Sequence, residues 1–386
     1  MAKTARIEVK DQDLLGALRS FLKTVLNREE ISAVLAPWRL PMKNRVMPTL
    51  IMDPQQLDQA DPLAPAFAIN SARVLSRLTR KPVGGQVAAV MRPCEIRAFV
   101  ELVKLKQGRT EDLVIIGLDC LGAYSNRDYF RWATDPPEAS TQKFSRAVLT
   151  GAGAAMDGVD LAPACKACEA PTAEGADIAI GLFGVDTAKE LFVQARTGKG
   201  ESLLGKLGLA ETSEPSARPK ALEQLMAGRI AHRDAMFEQT RAATETAEKL
   251  SAYLADCINC YNCRVACPVC YCRECVFVTD VFDHEPSQYL RWAEHRGAVK
   301  LPTDTLFYHL TRLAHMSTAC VGCGQCSNAC PNGIPLMELF RSVAHRTQAA
   351  FGYLAGRRLD EKPPLTEFRE NEFPEVVGIG EGKTAA

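Results

Sequence analysis

The hydrophobic positions change period along the chain, and the changes mark its elements. Over residues 11–27 apolar side chains recur three and four apart, at Leu14, Leu18, Phe21, Leu22 and Val25, behind Asp11, a residue suited to capping. This predicts an amphipathic helix. Residues 37–65 are proline-rich and predict irregular chain, and a second helix is expected over 66–80. At 87–91 the pattern becomes a short unbroken apolar run, the mark of a buried strand, stopped by Pro93-Cys94. A helical stripe follows at Ile96, Phe99, Val100 and Val103, and a second apolar run at 113–118 ends in Asp119-Cys120.

Strand, helix and strand in that order imply a parallel pair joined by a crossover, with the carboxyl ends of its strands at one edge, where ligands bind. Cys94 and Cys120 belong at that edge. Cys165 and Cys168 precede another strand-like run, 178–182, so four cysteines can converge there. Residues 125–160 carry little periodicity. Residues 212–218 have linker composition, and 219–256 read as a long helical stretch. A further helix is expected over 305–316, with Leu306, Leu310 and Leu313 on one face. The chain beyond about 356 is polar, proline-bearing and charged, as in a disordered or partner-wrapping tail.

Lys+Arg and Asp+Glu are balanced at 46 each, so overall charge directs the chain to neither nucleic acid nor an anionic membrane. No apolar run approaches the roughly 18 residues of a membrane span, and the charged beginning has no apolar signal core. A cytoplasmic location is expected. Fifteen cysteines in a reducing compartment point to metal rather than disulfides, and eleven lie between Cys257 and Cys330.

Eight of those eleven repeat one spacing. Cys257-x2-Cys260-x2-Cys263-x3-Cys267-Pro268 is matched by Cys320-x2-Cys323-x2-Cys326-x3-Cys330-Pro331. In this bacterial-type 4Fe-4S spacing, three thiolates wrap one cluster and the fourth ligates the other. One ligand set is therefore Cys257, Cys260, Cys263 and Cys330, and the other is Cys320, Cys323, Cys326 and Cys267. Gly322 and Gly324 suit a backbone folded close around a cluster. Zinc sites usually pair two cysteine couples across a longer spacer, unlike these complete quartets. The 52 residues between Cys267 and Cys320 resemble the helical insertions in α-helical ferredoxins of succinate dehydrogenase-type and heterodisulfide reductase-type subunits. Cys270, Cys272 and Cys275 are read as non-ligands. His284, His295, His309 and His315 are read as ordinary surface or core residues.

The N-terminal half resembles the β subunits of coenzyme F-420-reducing hydrogenases and formate dehydrogenases. The matching residues are Met91-Arg92-Pro93-Cys94, Gly117-Leu118-Asp119-Cys120, Cys165 and Cys168 with Ala176-Asp177-Ile178 and Gly181, and the stretch Arg196-Thr197-Gly198-Lys199-Gly200. The resemblance covers roughly 66–210. It implies an α/β domain carrying FAD and a third 4Fe-4S cluster, with Cys94, Cys120, Cys165 and Cys168 as ligands. Asn70, Ser71 and Arg92 are its candidate flavin contacts. Where the family often has Ser-Gly-Gly, this chain reads Asn70-Ser71-Ala72, which puts side chains where the flavin approaches. Arg73, Lys81 and Arg97 are further cations that can meet a cofactor phosphate or stay solvated.

The expected organisation is an α/β flavin and cluster domain at 1–211, a linker and long helix at 212–256, a mainly α-helical dicluster domain at 257–356 and a polar tail at 357–386. The function implied is an iron–sulfur flavoprotein subunit of a multi-subunit oxidoreductase. It would connect coenzyme F-420, NAD(P)H or ferredoxin with a catalytic subunit of formate dehydrogenase, hydrogenase or heterodisulfide reductase type. A flavin-free conduit and a zinc-stabilised scaffold are the rival readings. No acid–base or nucleophilic constellation is evident.

Overall fold

The computed structural model describes residues 3–41, 45–82, 84–134, 136–272, 274–280, 285–296 and 305–367. His284 and most of the expected tail lie outside them.

The N-terminal half is built on one sheet. Its strands are β1 (Thr4–Glu8), β2 (Ile31–Arg39), β3 (Val46–Ile51), β4 (Gln86–Met91), β5 (Leu113–Leu118), β6 (Ile178–Gly181), β7 (Glu190–Ala195) and β8 (Ala210–Glu211), in the order β3-β2-β4-β5-β6-β7-β1-β8. Strands β2, β4, β5 and β6 are mutually parallel, and β3, β7 and β8 pair antiparallel to their neighbours. Every residue of β5 is buried, which explains its unbroken apolar run. The helices of this half are α1 (Leu14–Leu26), α2 (Ser71–Leu78), α3 (Pro93–Lys104), α4 (Asn126–Trp132), α5 (Pro137–Leu149), α6 (Pro163–Lys166) and α7 (Gly198–Lys206).

Two expectations change. The proline-rich 37–65 stretch contains β3 and the end of β2, with Pro37 opposite Pro48. Proline is tolerated there because β3 is an edge strand with one free side. The first helix is capped by Asp13, whose Oδ1 accepts from Gly16 N at 2.9 Å, whereas Asp11 sits at φ 53° in the approach turn.

The second half is helical. The long stretch is two helices, α8 (Arg218–Thr244) and α9 (Ala247–Tyr253), followed by α10 (Asn262–Ala266), α11 (Pro286–Arg296), α12 (Thr305–Met316), α13 (Gln325–Asn328) and α14 (Leu336–Ala350). Among the described residues no helix is long and apolar enough to cross a membrane.

The start of α8 is fixed by a buried ion pair. Asp119, just after β5, accepts from Arg218 Nη1 at 2.5 Å and Nη2 at 3.0 Å, and its Oδ2 also takes the amides of Leu182 and Phe183. This fourfold satisfaction lets a charge pair sit in the interior. The chain after α14 docks on α3, where Glu101 accepts from Tyr353 Oη at 2.5 Å and from Gly356 N at 2.6 Å.

The two halves are stitched through Phe67, whose carbonyl accepts the side-chain amides of Gln325 (2.9 Å) and Asn328 (3.1 Å). Arg341 of α14 donates to Ala167 O at 2.7 Å and pairs with Glu169. Gly324 (φ 78°) lies against α6, and a Cβ there would stand 2.5 Å from that of Ala164.

Candidate metal and flavin centre

The repeated quartets have matching backbones. Asn259 (φ 50°) and Tyr261 (φ 58°) take left-handed conformations two and four residues after Cys257, as Gly322 (φ 70°) and Gly324 (φ 78°) do after Cys320. Two glycine positions of one loop are thus filled in the other by residues that bear a steric cost. That cost is met where three thiolates must be presented to one body. In the second loop the glycines do more than expected. A Cβ at Gly322 would lie 2.8 Å from Arg341 Cδ, so both glycines admit the contacts between the halves as well as the cluster's wrap.

The first quartet surrounds a cavity of about 320 Å³ lined by Cys257, Cys260, Cys263 and Cys330, together with Tyr308 and His309. This is the crossed set that the spacing implies, with Cys330 contributed by the other motif. Cys260 is exposed, so this centre stands nearest to solvent. In the second set, Cys267, Cys320, Cys323 and Cys326 act electrostatically on one another, and burial pushes all four thiols up. Buried thiols with raised pKa hold their protons until a cation replaces them, which the iron of a cluster does. The donor chemistry in both sets fits 4Fe-4S clusters. Among the described residues no group of three His, Cys, Asp or Glu side chains converges on a single ion, as zinc at about 2.3 Å from each sulfur would require.

The N-terminal cysteines also converge. Cys94 follows β4 and opens α3, Cys120 follows β5, and Cys165 and Cys168 come from α6 and the turn after it. All four line one cavity of about 400 Å³ with Arg92, Arg229 and, from the dicluster half, Cys323. Burial pushes Cys94 and Cys120 up and Cys165 to about 12. Arg229 donates to Cys120 O at 3.2 Å, and its charge and that of Arg92 favour the Cys120 thiolate.

A second cavity, of about 370 Å³, lies at the carboxyl edge of β2, β4 and β5. It is lined by Pro37, Leu63, Ala64, Met91, Arg92, Asp119, Cys120 and Gly122. It shares Arg92, Cys120 and Gly122 with the four-cysteine cavity, so the two are adjacent.

The candidate flavin residues separate. Arg92 lines both cavities, stacked 5.0 Å over Phe67, with Nη2 donating to Ala64 O and Ala66 O. Asn70 and Ser71 lie beneath the dicluster half. Asn70 caps α2, and the amide end of its side chain is directed at the Cys323 sulfur. Ser71 N donates to Glu95 at 2.7 Å. Arg73 reaches Val265 O and Cys267 O, and Arg97 donates to Ala355 O, so both are spent on the protein itself.

Sequence reasoning missed the face of α12. His309 Nε2 lies 3.3 Å from Cys257 Sγ, Tyr308 Oη lies 3.4 Å from Cys263 Sγ, and Arg312 Nη1 donates to Cys263 Sγ at 3.1 Å. The only signal was their one-turn spacing on a stripe otherwise read as core. His295 and His315 are exposed, as expected of surface residues. Cys270 is buried and its thiol is pushed up to about 12, whereas Cys272 is exposed.

The fold and its cysteine sets define an iron–sulfur electron-transfer subunit of an oxidoreductase. Residues 84–217 match the model for the C terminus of the coenzyme F420 hydrogenase/dehydrogenase beta subunit, and residues 253–334 match that of a 4Fe-4S dicluster domain. The F420-dependent formate dehydrogenase subunit beta of Methanocaldococcus jannaschii is 26% identical over 373 residues, covering 91% of this chain and 93% of that protein. The F420-dependent formate dehydrogenase 1 subunit beta of Methanococcus maripaludis is 28% identical over 382 residues, covering 90% and 92%. A chain of the xenon-derivatised F420-reducing [NiFe] hydrogenase complex from Methanosarcina barkeri superposes with a TM-score of 0.46 at 16% identity, covering 64% of this chain and 94% of its own length. The chain belongs to the coenzyme F420 hydrogenase and formate dehydrogenase beta-subunit family, with a C-terminal 4Fe-4S dicluster module.

Proposed function

We propose that this chain relays electrons between a soluble two-electron carrier, coenzyme F420 by analogy with its relatives, and a catalytic subunit of formate dehydrogenase or hydrogenase type. In this reading FAD occupies the cavity at the carboxyl edge of β2, β4 and β5, and Cys94, Cys120, Cys165 and Cys168 hold a third 4Fe-4S cluster. Bound flavin exchanges an electron pair with the carrier and single electrons with clusters.

The observation that carries the reading is a chain of shared walls. Arg92 and Cys120 belong to both N-terminal cavities, and Cys323, a ligand of the dicluster module, belongs to the second of them. The backbone turn from Cys263 to Cys267 then joins the two dicluster sets. Arg92 presents a fixed cation between the flavin and cluster positions, suited to an anionic ring edge or a phosphate on one side and thiolates on the other. Pro37, Leu63 and Met91 supply an apolar wall.

A flavin-free conduit is the second reading. It is favoured by the engagement of Asn70 and Ser71 with Cys323 and Glu95, which leaves neither for a flavin. The discriminating experiment is flavin released on denaturing chain purified anaerobically, beside a Leu63→Trp variant that fills the edge cavity. About one FAD per chain in wild type, lost in the variant with iron unchanged, supports the first reading. No flavin in wild type supports the second.

A further inference from the structure

Helix α12 lies in the segment that separates the two cysteine motifs and contains none of their cysteines. One of its side chains nonetheless occupies the joint between both clusters. Arg312 is 4% exposed, and its guanidinium is packed 4.6 Å over Phe340 and 5.5 Å from the Tyr308 ring. Nη1 donates to Cys263 Sγ at 3.1 Å, and Nη2 donates to Cys263 O at 3.3 Å. That same carbonyl accepts the amide of Cys267, also at 3.3 Å. Cys263 and Cys267 are the two sides of α10, and they belong to different ligand sets. Arg312 therefore grips the single helical turn through which the two clusters are bound to one another.

We propose that Arg312 is a positioning residue for electron transfer: a fixed cation shared by the two dicluster centres, which raises the reduction potentials of both. A buried charge is tolerated when it is paired. The groups acting to hold Arg312 charged are Cys263, Tyr308, Cys267 and Cys326, with no carboxylate among them. Its counter-charge is thus the thiolates of both clusters. Adding one electron to either cluster makes that cluster more negative by one charge, and in a low-dielectric interior a nearby guanidinium stabilises the reduced form. Because the cation is shared, it also offsets the repulsion that an electron on one cluster exerts on an electron arriving at the other. Tyr308 and His309 contact only the Cys257 set, so they affect that centre alone.

The inference rests on the assignment of the two C-terminal ligand sets and needs neither flavin nor the third cluster. The test is a mediated redox titration of the anaerobic full chain, followed by EPR, comparing wild type with Arg312→Met and Arg312→Gln. The glutamine variant keeps a donor while removing the charge, and it carries the test if the methionine variant loses iron. Both dicluster signals are expected to become harder to reduce by at least tenfold in equilibrium constant, about 59 mV for one electron. Tyr308→Phe is expected to move one signal only. Unchanged potentials in Arg312→Gln, or a change confined to the Cys257 set, would overturn the proposal. Loss of the dicluster signals from wild type would instead overturn the ligand assignment beneath it.

Discussion

The carboxylate of Glu95 accepts the backbone amide of Ser71 at 2.7 Å, and thereby ties the start of α2 to the start of α3. Its other oxygen accepts Arg92 N at 2.9 Å, so one buried side chain holds the segments bearing Asn70, Arg92 and Cys94. Glu95→Ala leaves two buried amides without acceptors, at a cost of about 1–3 kcal/mol each. A lower midpoint in chemical denaturation is expected. The same variant should perturb the EPR signal of a cluster at Cys94 more than the Cys257 signal. A wild-type midpoint would contradict this role.

Gly324 sets how closely the dicluster module approaches the four-cysteine cavity. With Ala164 Cβ 2.5 Å from where a Cβ would stand, Gly324→Ala must push α6 and the Cys323 loop apart. Overpacking of this kind costs about 1–3 kcal/mol. We expect a lower melting temperature and slower transfer from the N-terminal half to the dicluster, read by stopped-flow absorbance. A variant as fast and as stable as wild type would show that the approach is not tight.

Crossed ligation gives a distinct signature. Cys330 lines the cavity of the Cys257 motif although it belongs to the second motif. Cys330→Ala is expected to remove about four irons and the signal of the Cys257 cluster, and Cys326→Ala the same amount and the Cys320 signal. If Cys330→Ala instead removed the Cys320 signal, each motif would hold its own cluster.

Removing iron should unfold the two halves unequally. The helices between Cys257 and Cys330 are short and are organised around the cysteines, whereas β4 and β5 have an apolar core independent of metal. After chelation under reducing conditions, amide protection is expected to vanish in α10, α12 and α13 and to persist in β4 and β5. Equal protection before and after would mean that this module folds without its clusters.

Much of this was legible in the sequence because it is local. The cysteine spacing, the apolar runs of β4 and β5 and the stripe of α3 each depend on neighbours within a few residues. Local pattern could not disclose β1, whose partners β7 and β8 lie far along the chain. Prolines hid β3, since only its place at the sheet edge makes Pro48 harmless. The cluster contacts of Tyr308, His309 and Arg312 were equally hidden, because a helical stripe facing thiolates has the same period as one facing leucines. Asn70 read as a possible flavin contact from its place before α2. Its direction toward Cys323 depends on how the two halves dock.

The central claim is that the four N-terminal cysteines hold a cluster beside Cys323, so that three centres form one path. The most direct measurement is iron and acid-labile sulfide per chain in anaerobically purified wild type, beside a Cys94→Ala/Cys168→Ala double variant. About twelve irons in wild type and about eight in the variant, with both dicluster EPR signals retained, is the predicted result. About eight irons in both would contradict it and leave the N-terminal cysteines as structural thiols.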